Sequence, residues 1–233
     1  MIIDIHSHII PSVDDGAKSL DESLALLKML KAQGVDSVVA TPHFNENDTD
    51  ILSYKKKISE GFSKIGAFDN VPEVFLGCEF RYFRGISNSD LAEQFCLGNS
   101  NYILIELPYA DISLSALQEI EKLHYNNGLR PILAHIDRYV SFKNYSELIS
   151  FLQNSDVLAQ INANSVYCEK HKRNAIKLMN MGIVNFVGSD THSVNHRPPN
   201  MDKFFEVGKR KFPNALRAIL HNNEVLYKAM KGC

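Results

Sequence analysis

The chain has 233 residues, 45% hydrophobic and 22% charged, and its 25 Lys and Arg against 27 Asp and Glu leave a formal net charge of -2. These proportions suit a folded domain with a full core and exclude a disordered or fibrous chain. The balanced charge supplies no basic field for nucleic acid, and no apolar run reaches the length of a membrane span.

Read from the start, short apolar runs alternate with helical patterns. IID (2–4) is the first strand candidate. Ser19 and Glu22 then form a capping box, Leu20, Leu24, Leu27 and Leu30 recur at helical spacing, and Gly34 follows the helix. VDSVVA (35–40) and EVFLG (73–77) are the second and third strand candidates. After YILIEL (102–107) comes a helix from Leu117 to Gly128, then PILA (131–134), VLAQIN (157–162), a helix from Ala175 to Gly182, and IVNFVG (183–188). From Asp202 onward the pattern predicts two or three closing helices. The basic runs Lys55 to Lys57 and Lys209 to Lys211 read as solvated helix faces. Seven strands alternating with helices predict an α/β parallel sheet in a single domain, 1–233. Seven such units suit a closed or nearly closed barrel, and HSHIIPSVDDG after the first strand lacks the GxGxxG of a dinucleotide fold.

Polar residues gather at one end of these strands. His6 and His8 follow the first, His43 the second and Glu79 the third; Glu106 lies in the fourth, His135 follows the fifth, and Asp190 and His192 follow the seventh. In parallel barrels that end carries the functional site, so these residues are expected to converge. Five imidazoles with three or more carboxylates exceed the needs of one ion. Nitrogen and oxygen donors without thiolate suit Mn, Fe or Zn, and two or three ions are expected. Paired ions of this kind clamp the attacking and leaving oxygens of a phosphoryl displacement.

Glu79 and Glu106 end apolar strands, where an unpaired carboxylate is costly; their partners would be cations or, failing those, Arg81 or Arg130. Either Asp14 or Asp15 could cap the turn at Gly16 while the other faces a metal. Arg138 and Arg197, three and five residues past His135 and His192, are expected to bind phosphate oxygens with their planar forks. His124, His171, His196 and His221 read as surface or packing residues. Phe44, Tyr109 and Tyr139 lie near the expected mouth, either flanking a substrate ring or in the core. Cys78 and Arg84 satisfy the Cys-x5-Arg spacing of thiol-dependent phosphatases, but the bulky EFRYF between them makes a poor phosphate cradle. Cys78, Cys96, Cys168 and Cys233 show no CxxC pairing, so reduced thiols are expected. Three residues before Asp4 are too few for a signal peptide, which predicts a cytoplasmic location.

The motifs DIHSHIIPSVDDG, ATPHF, GCEF, AHIDRY and SDTH, with LIELPY and HRPP, resemble the PHP (polymerase and histidinol phosphatase) superfamily. Within it they are most similar to the manganese-dependent bacterial tyrosine-protein phosphatases encoded with capsule and exopolysaccharide genes. The resemblance implies a distorted, TIM-barrel-like seven-stranded (β/α) barrel with a trinuclear site. One ion would sit on His6, His8, Glu79 and Asp190, with Glu79 bridging to a second held by His43 and His135, and a third on Asp15, Glu106 and His192. Arg138, Arg197 and His192 match catalytic positions. A metal-bridged hydroxide would hydrolyse protein phosphotyrosine, with Mn the expected ion and Fe, Zn or Mg the alternatives. The implied substrate is the tyrosine-rich tail of a bacterial kinase regulating polysaccharide synthesis. A PHP phosphoesterase for histidinol phosphate or nucleotides, and an inactive phosphopeptide-binding module, are the rival readings. Segments 44–72 and 144–160 match no motif.

Overall fold

The computed structural model describes residues 1–46, 50–66 and 68–232. Cys233 therefore lies outside the described residues; Cys78, Cys96 and Cys168 are free thiols, as expected. Nine strand segments form among the described residues: β1 (Ile3–Ser7), β2 (Ser37–Ala40), β3 (His43–Phe44), β4 (Glu73–Leu76), β5 (Glu79–Arg81), β6 (Tyr102–Glu106), β7 (Arg130–Leu133), β8 (Leu158–Asn162) and β9 (Phe186–Gly188). β3, β5, β6, β7, β8 and β9 make a curled parallel sheet in that order, and β1, β2 and β4 a second parallel set. The two sets meet where β1 lies against the end of β9: Asp190 N donates to His6 O at 2.8 Å and His8 N to Thr191 O at 2.9 Å.

The alternation of strand and helix is as expected, but seven unbroken strands are not what forms. The second and third runs each stop and resume as the short segments β3 and β5. Pro42 has no N–H to continue a ladder. Gly77 sits where a Cβ would come within 2.7 Å of Leu97 and 2.9 Å of Val39, so the chain passes too close to its neighbours for a side chain there. These interruptions put His43 and Glu79 opposite each other as a register pair of β3 and β5.

Among the described residues seven α-helices flank the strands: α1 (Leu20–Ala32), α2 (Ile51–Ile65), α3 (Leu114–Asn127), α4 (Tyr145–Asn154), α5 (Lys172–Asn180), α6 (Met201–Lys211) and α7 (Pro213–Lys231). Ser19 caps α1 by accepting from Glu22 N at 3.2 Å. The buried face of α1 is Leu26, Leu27 and Leu30, while Leu20 is exposed, so the expected stripe is rotated toward Leu26. α4 fills part of the segment that matched no motif, burying Leu148 and Leu152 one turn apart. Two helices close the chain, the second opened by Pro213 at its first turn. Along β1 the faces separate by parity: Ile3 and Ile5 join Val39, Leu104, Ile132, Phe186 and the α7 residues Leu226 and Met230 in one apolar cluster. The other parity carries Asp4 and His6.

Candidate metal centre

Each of the nine expected donors reaches the same end of the strands. His6 lies inside β1 and His8 just beyond it, Glu106 ends β6, and His135 and Asp190 lie two residues past β7 and β9. Both His135 (φ +35°) and Asp190 (φ +54°) adopt the left-handed conformation, which non-glycine residues rarely accept, and so the strand ends turn sharply to aim these side chains inward. Glu79 is at the middle. Its Oε2 lies 3.2 Å from His6 Nε2, 3.3 Å from His8 Nε2 and 2.9 Å from His43 Nδ1, and its Oε1 lies 2.9 Å from His135 Nε2. The ion pairs of Glu79 and Glu106 are to histidines, not to Arg81 or Arg130; Arg130 instead lies over the Tyr102 ring.

The donors fall into three sets whose ligand atoms lie within 4.8 Å of one another: His6, His8 and Asp190; His8, Asp15, His43 and His192; and His43, Glu79 and Glu106. Glu106 thus sits with Glu79 and His43, and 3.4 Å from His135, rather than beside Asp15 and His192 as the resemblance implied. Asp14 and Asp15 separate cleanly. The Asp14 carboxylate is buried and takes His8 Nδ1 at 2.7 Å, the His43 N–H at 3.0 Å and the Gly16 N–H at 2.9 Å. Asp15 is 65% exposed and stands 3.3 Å from both His43 Nε2 and His192 Nε2. A Cβ on Gly16 would fall 2.1 Å from His8 O, so only glycine lets this turn fold back onto the histidine.

The donor set suits cations. His6 Nε2 and His8 Nε2 face each other at 3.2 Å, where at most one proton can lie between them. Among the described residues, Glu79 Oε2 and His192 Nε2 are buried with polar neighbours at 2.9–3.3 Å but no well-aligned hydrogen bond, and His135 Nδ1 is buried with no partner, an arrangement that is costly unless an ion takes up the lone pairs. Burial would raise the Glu79 and Asp190 carboxyls, but the surrounding imidazoles, and Arg138 for Asp190, outweigh it and hold both well below the usual carboxylate range. Burial disfavours charge on His8 as well, yet Asp14, Asp190 and Glu79 keep it well above 6.5. His192 is pushed down to about 4 by burial and by the charge of His8. Mixed imidazole and carboxylate donors without thiolate match Mn, Fe or Zn.

Arg138 and Arg197 converge from two loops on one oxygen of Asp190, Arg197 at 2.5 Å. Arg138 rides on a 3-10 turn, Ile136–Ser141, pinned by buried Asp137, which accepts from Ser165 Oγ at 2.5 Å and Asn162 N at 3.3 Å. Tyr109 is 62% exposed beside this site, whereas Phe44 and Tyr139 are core residues. Phe44 stacks on Phe95 and Tyr139 donates its hydroxyl to Leu107 O. Cys78 is buried against the Tyr54 hydroxyl at 3.6 Å, and burial pushes its thiol far up, so it is no thiolate nucleophile.

Several residues at the centre are not among those singled out from the sequence. Gln160 Oε1 accepts from His135 N at 2.6 Å, and Asn162 Nδ2 donates to Asp190 at 2.7 Å. Asp4 accepts from Ser189 N at 2.7 Å and ties β1 to the turn after β9; burial raises its carboxyl to about 6. The clue lay in polar residues inside the apolar runs IID and VLAQIN. His171 and His196, expected to lie apart from the strand ends, line cavities that also touch donor residues: His171 with Glu106 and His135, His196 with Asp190 and Arg197.

Residues 2–226 match the family described as capsular polysaccharide synthesis, CpsB/CapC. The chain is 32% identical over 233 residues to a Streptococcus agalactiae tyrosine-protein phosphatase CpsB, covering 91% of each protein. It is 28% identical over 238 residues to the Bacillus subtilis tyrosine-protein phosphatase YwqE, covering 97% of this chain and 91% of that one. A solved structure from work on B. subtilis YwqE and Streptococcus pneumoniae CpsB, described as metal-dependent tyrosine phosphatases, shares the fold with a TM-score of 0.82 at 24% identity, covering 99% and 94% of the two chains. With a match that spans nearly the whole chain, the protein belongs to the CpsB/CapC family of capsular polysaccharide synthesis.

Proposed function

We infer that this protein is a metal-dependent tyrosine-protein phosphatase serving capsular polysaccharide synthesis. The observation that carries this reading is the convergence of five imidazoles, four carboxylates and two arginines on one mouth. His6, His8, Asp15, His43, Glu79, Glu106, His135, Asp190 and His192 would hold two or three ions, with Mn the first choice. When bound, such ions supply a nucleophilic water at neutral pH and positive charge for the transferred phosphoryl group.

The rest is work for the chain. Asp14 orients His8, and Gln160 fixes the backbone of His135, so the donors are arranged before any ion arrives. Arg138 and Arg197 present forked N–H donors at the outer edge of Asp190, where phosphate oxygens would develop charge in the transition state. A phenolate, with an intrinsic pKa near ~10, leaves with little help from a proton donor.

The finer reading is that β2 with β3, and β4 with β5, act as interrupted staves of a distorted seven-stranded barrel. The substrate is then the phosphorylated tail of a cytoplasmic-side bacterial tyrosine kinase. No helix among the described residues is long and apolar enough to cross a membrane.

The test is phosphate release from a phosphotyrosine peptide by chelator-stripped protein, before and after Mn is restored. Activity that disappears and returns with Mn is expected. Activity that survives stripping would overturn the metal requirement, and preference for histidinol phosphate or a nucleotide would overturn the substrate.

A further inference from the structure

A cavity of about 380 Å3 opens beside the centre, bounded by Glu106, Tyr109, His135, Arg138, Lys170 and His171. Glu106, His135 and Arg138 belong to the site already described. Tyr109, Lys170 and His171 do not, and they arrive from two separate loops, after β6 and before α5. Tyr109 offers an exposed aromatic face and is held edge-on to Phe142 with ring centroids 4.6 Å apart. Lys170 is exposed and makes no ion pair among the described residues. His171 Nδ1 is shielded from solvent and has no hydrogen-bond partner there.

The charge around this wall is unusual for a helix start. Helix N-termini favour anions, yet α5 has no acidic residue in its first turn and begins with Lys172 and Arg173. With Lys170, these outnumber the one neighbouring acid, Glu169. The cavity's own carboxylate, Glu106, lies 3.4 Å from His135 at the inner wall. Of these cations only Lys170 lines the cavity, so the outer wall carries one ammonium, and the only carboxylate among the lining residues is Glu106 on the inner side.

We propose that this cavity is a substrate subsite for an anionic side chain, carboxylate or phosphate, next to the phosphotyrosine of a polypeptide. Tyr109 lies along the bound segment, and Lys170 with His171 receives the anion. The proposal rests on the phosphatase reading above and extends it to the substrate's sequence preference.

The test uses Mn-loaded protein and three phosphotyrosine peptides of equal length, with Glu, phosphoserine or Ser beside the phosphotyrosine, and p-nitrophenyl phosphate as a substrate with no neighbouring residue. Expected is a kcat/KM about fivefold higher for the anionic peptides, carried by KM. Lys170→Glu should erase that difference and leave p-nitrophenyl phosphate hydrolysis within about twofold. A gain for Glu alone or for phosphoserine alone assigns the anion. Equal values for all three peptides, or a Lys170→Glu loss shared by p-nitrophenyl phosphate, overturns the subsite. Fluorescence anisotropy with the same peptides separates the two readings. Charge-selective, Lys170-dependent binding without phosphate release from any substrate overturns the catalytic reading and keeps the subsite, whereas charge-blind binding overturns the subsite.

Discussion

Asp14 and Asp15 show how far a residue's role depends on what the turn does with it. Their adjacency hid which faces the centre, because a one-residue shift in a tight turn reverses the direction of a side chain. Asp14→Asn keeps the shape but removes the charge behind His8, and should weaken metal binding about 10–100-fold in a competition titration with a chelator. Unchanged affinity would remove Asp14 from any orienting role. His135 makes a second prediction. Without ions, burial opposes its charge, but Glu106 and Glu79 raise its pKa from 6.5 to about 9. A raised base keeps its stabilising proton below 6.5 and loses it as pH rises through about 9. A cation needs the lone pair, so metal uptake at pH 7 should release protons, fewer as pH passes 9. Calorimetry in two buffers of different ionisation enthalpy measures this, and zero release at pH 7 would contradict it. Cys78→Ser, whose side chain packs against the Tyr54 hydroxyl and is not among the donors, should retain most phosphatase activity. The histidines and carboxylates were legible because strand ends in a parallel α/β pattern are where ligands collect. Gln160 and Asn162 were not, since an amide in a strand has no distinguishing spacing.

At the scale of elements, the contact of β1 with β9 governs the centre. Gly188 is required there: a Cβ would lie 2.4 Å from His6 Cβ and 3.1 Å from Gln160 Nε2. Gly188→Ala should cost about 1–3 kcal/mol and lower the metal content of purified protein, as read by thermal unfolding and elemental analysis. Wild-type values in both would show that the strands can separate without harm. The long elements were legible from apolar period and glycine stops. β3 and β5 were not, because segments of two and three residues contain no period to detect. The start of α4 was obscured as well: Asn144 precedes it in the left-handed conformation without a side-chain capping bond.

Across the whole molecule, the alternation of strand and helix predicted the parallel α/β architecture, and the balanced charge carried no information about the convergence of nine polar side chains in one place. Gathering those groups, most of them buried, is unfavourable until cations neutralise them. Ion binding at a thousand times its Kd should stabilise the fold by about 4 kcal/mol, which for a chain of this size raises Tm by about 10 °C. Calorimetry in excess Mn and in chelator tests this, and identical transitions would mean that the ions do not bind the folded state. The pairing of β1 with β9 has a consequence for biosynthesis. His6 and His8 leave the ribosome well before Asp190 and His192 are made. A nascent chain short of them has no complete coordination set, and contacts this distant in sequence close late in folding. Ion capture at this centre would therefore wait until synthesis has passed the last of the donors, and catalytic competence with it.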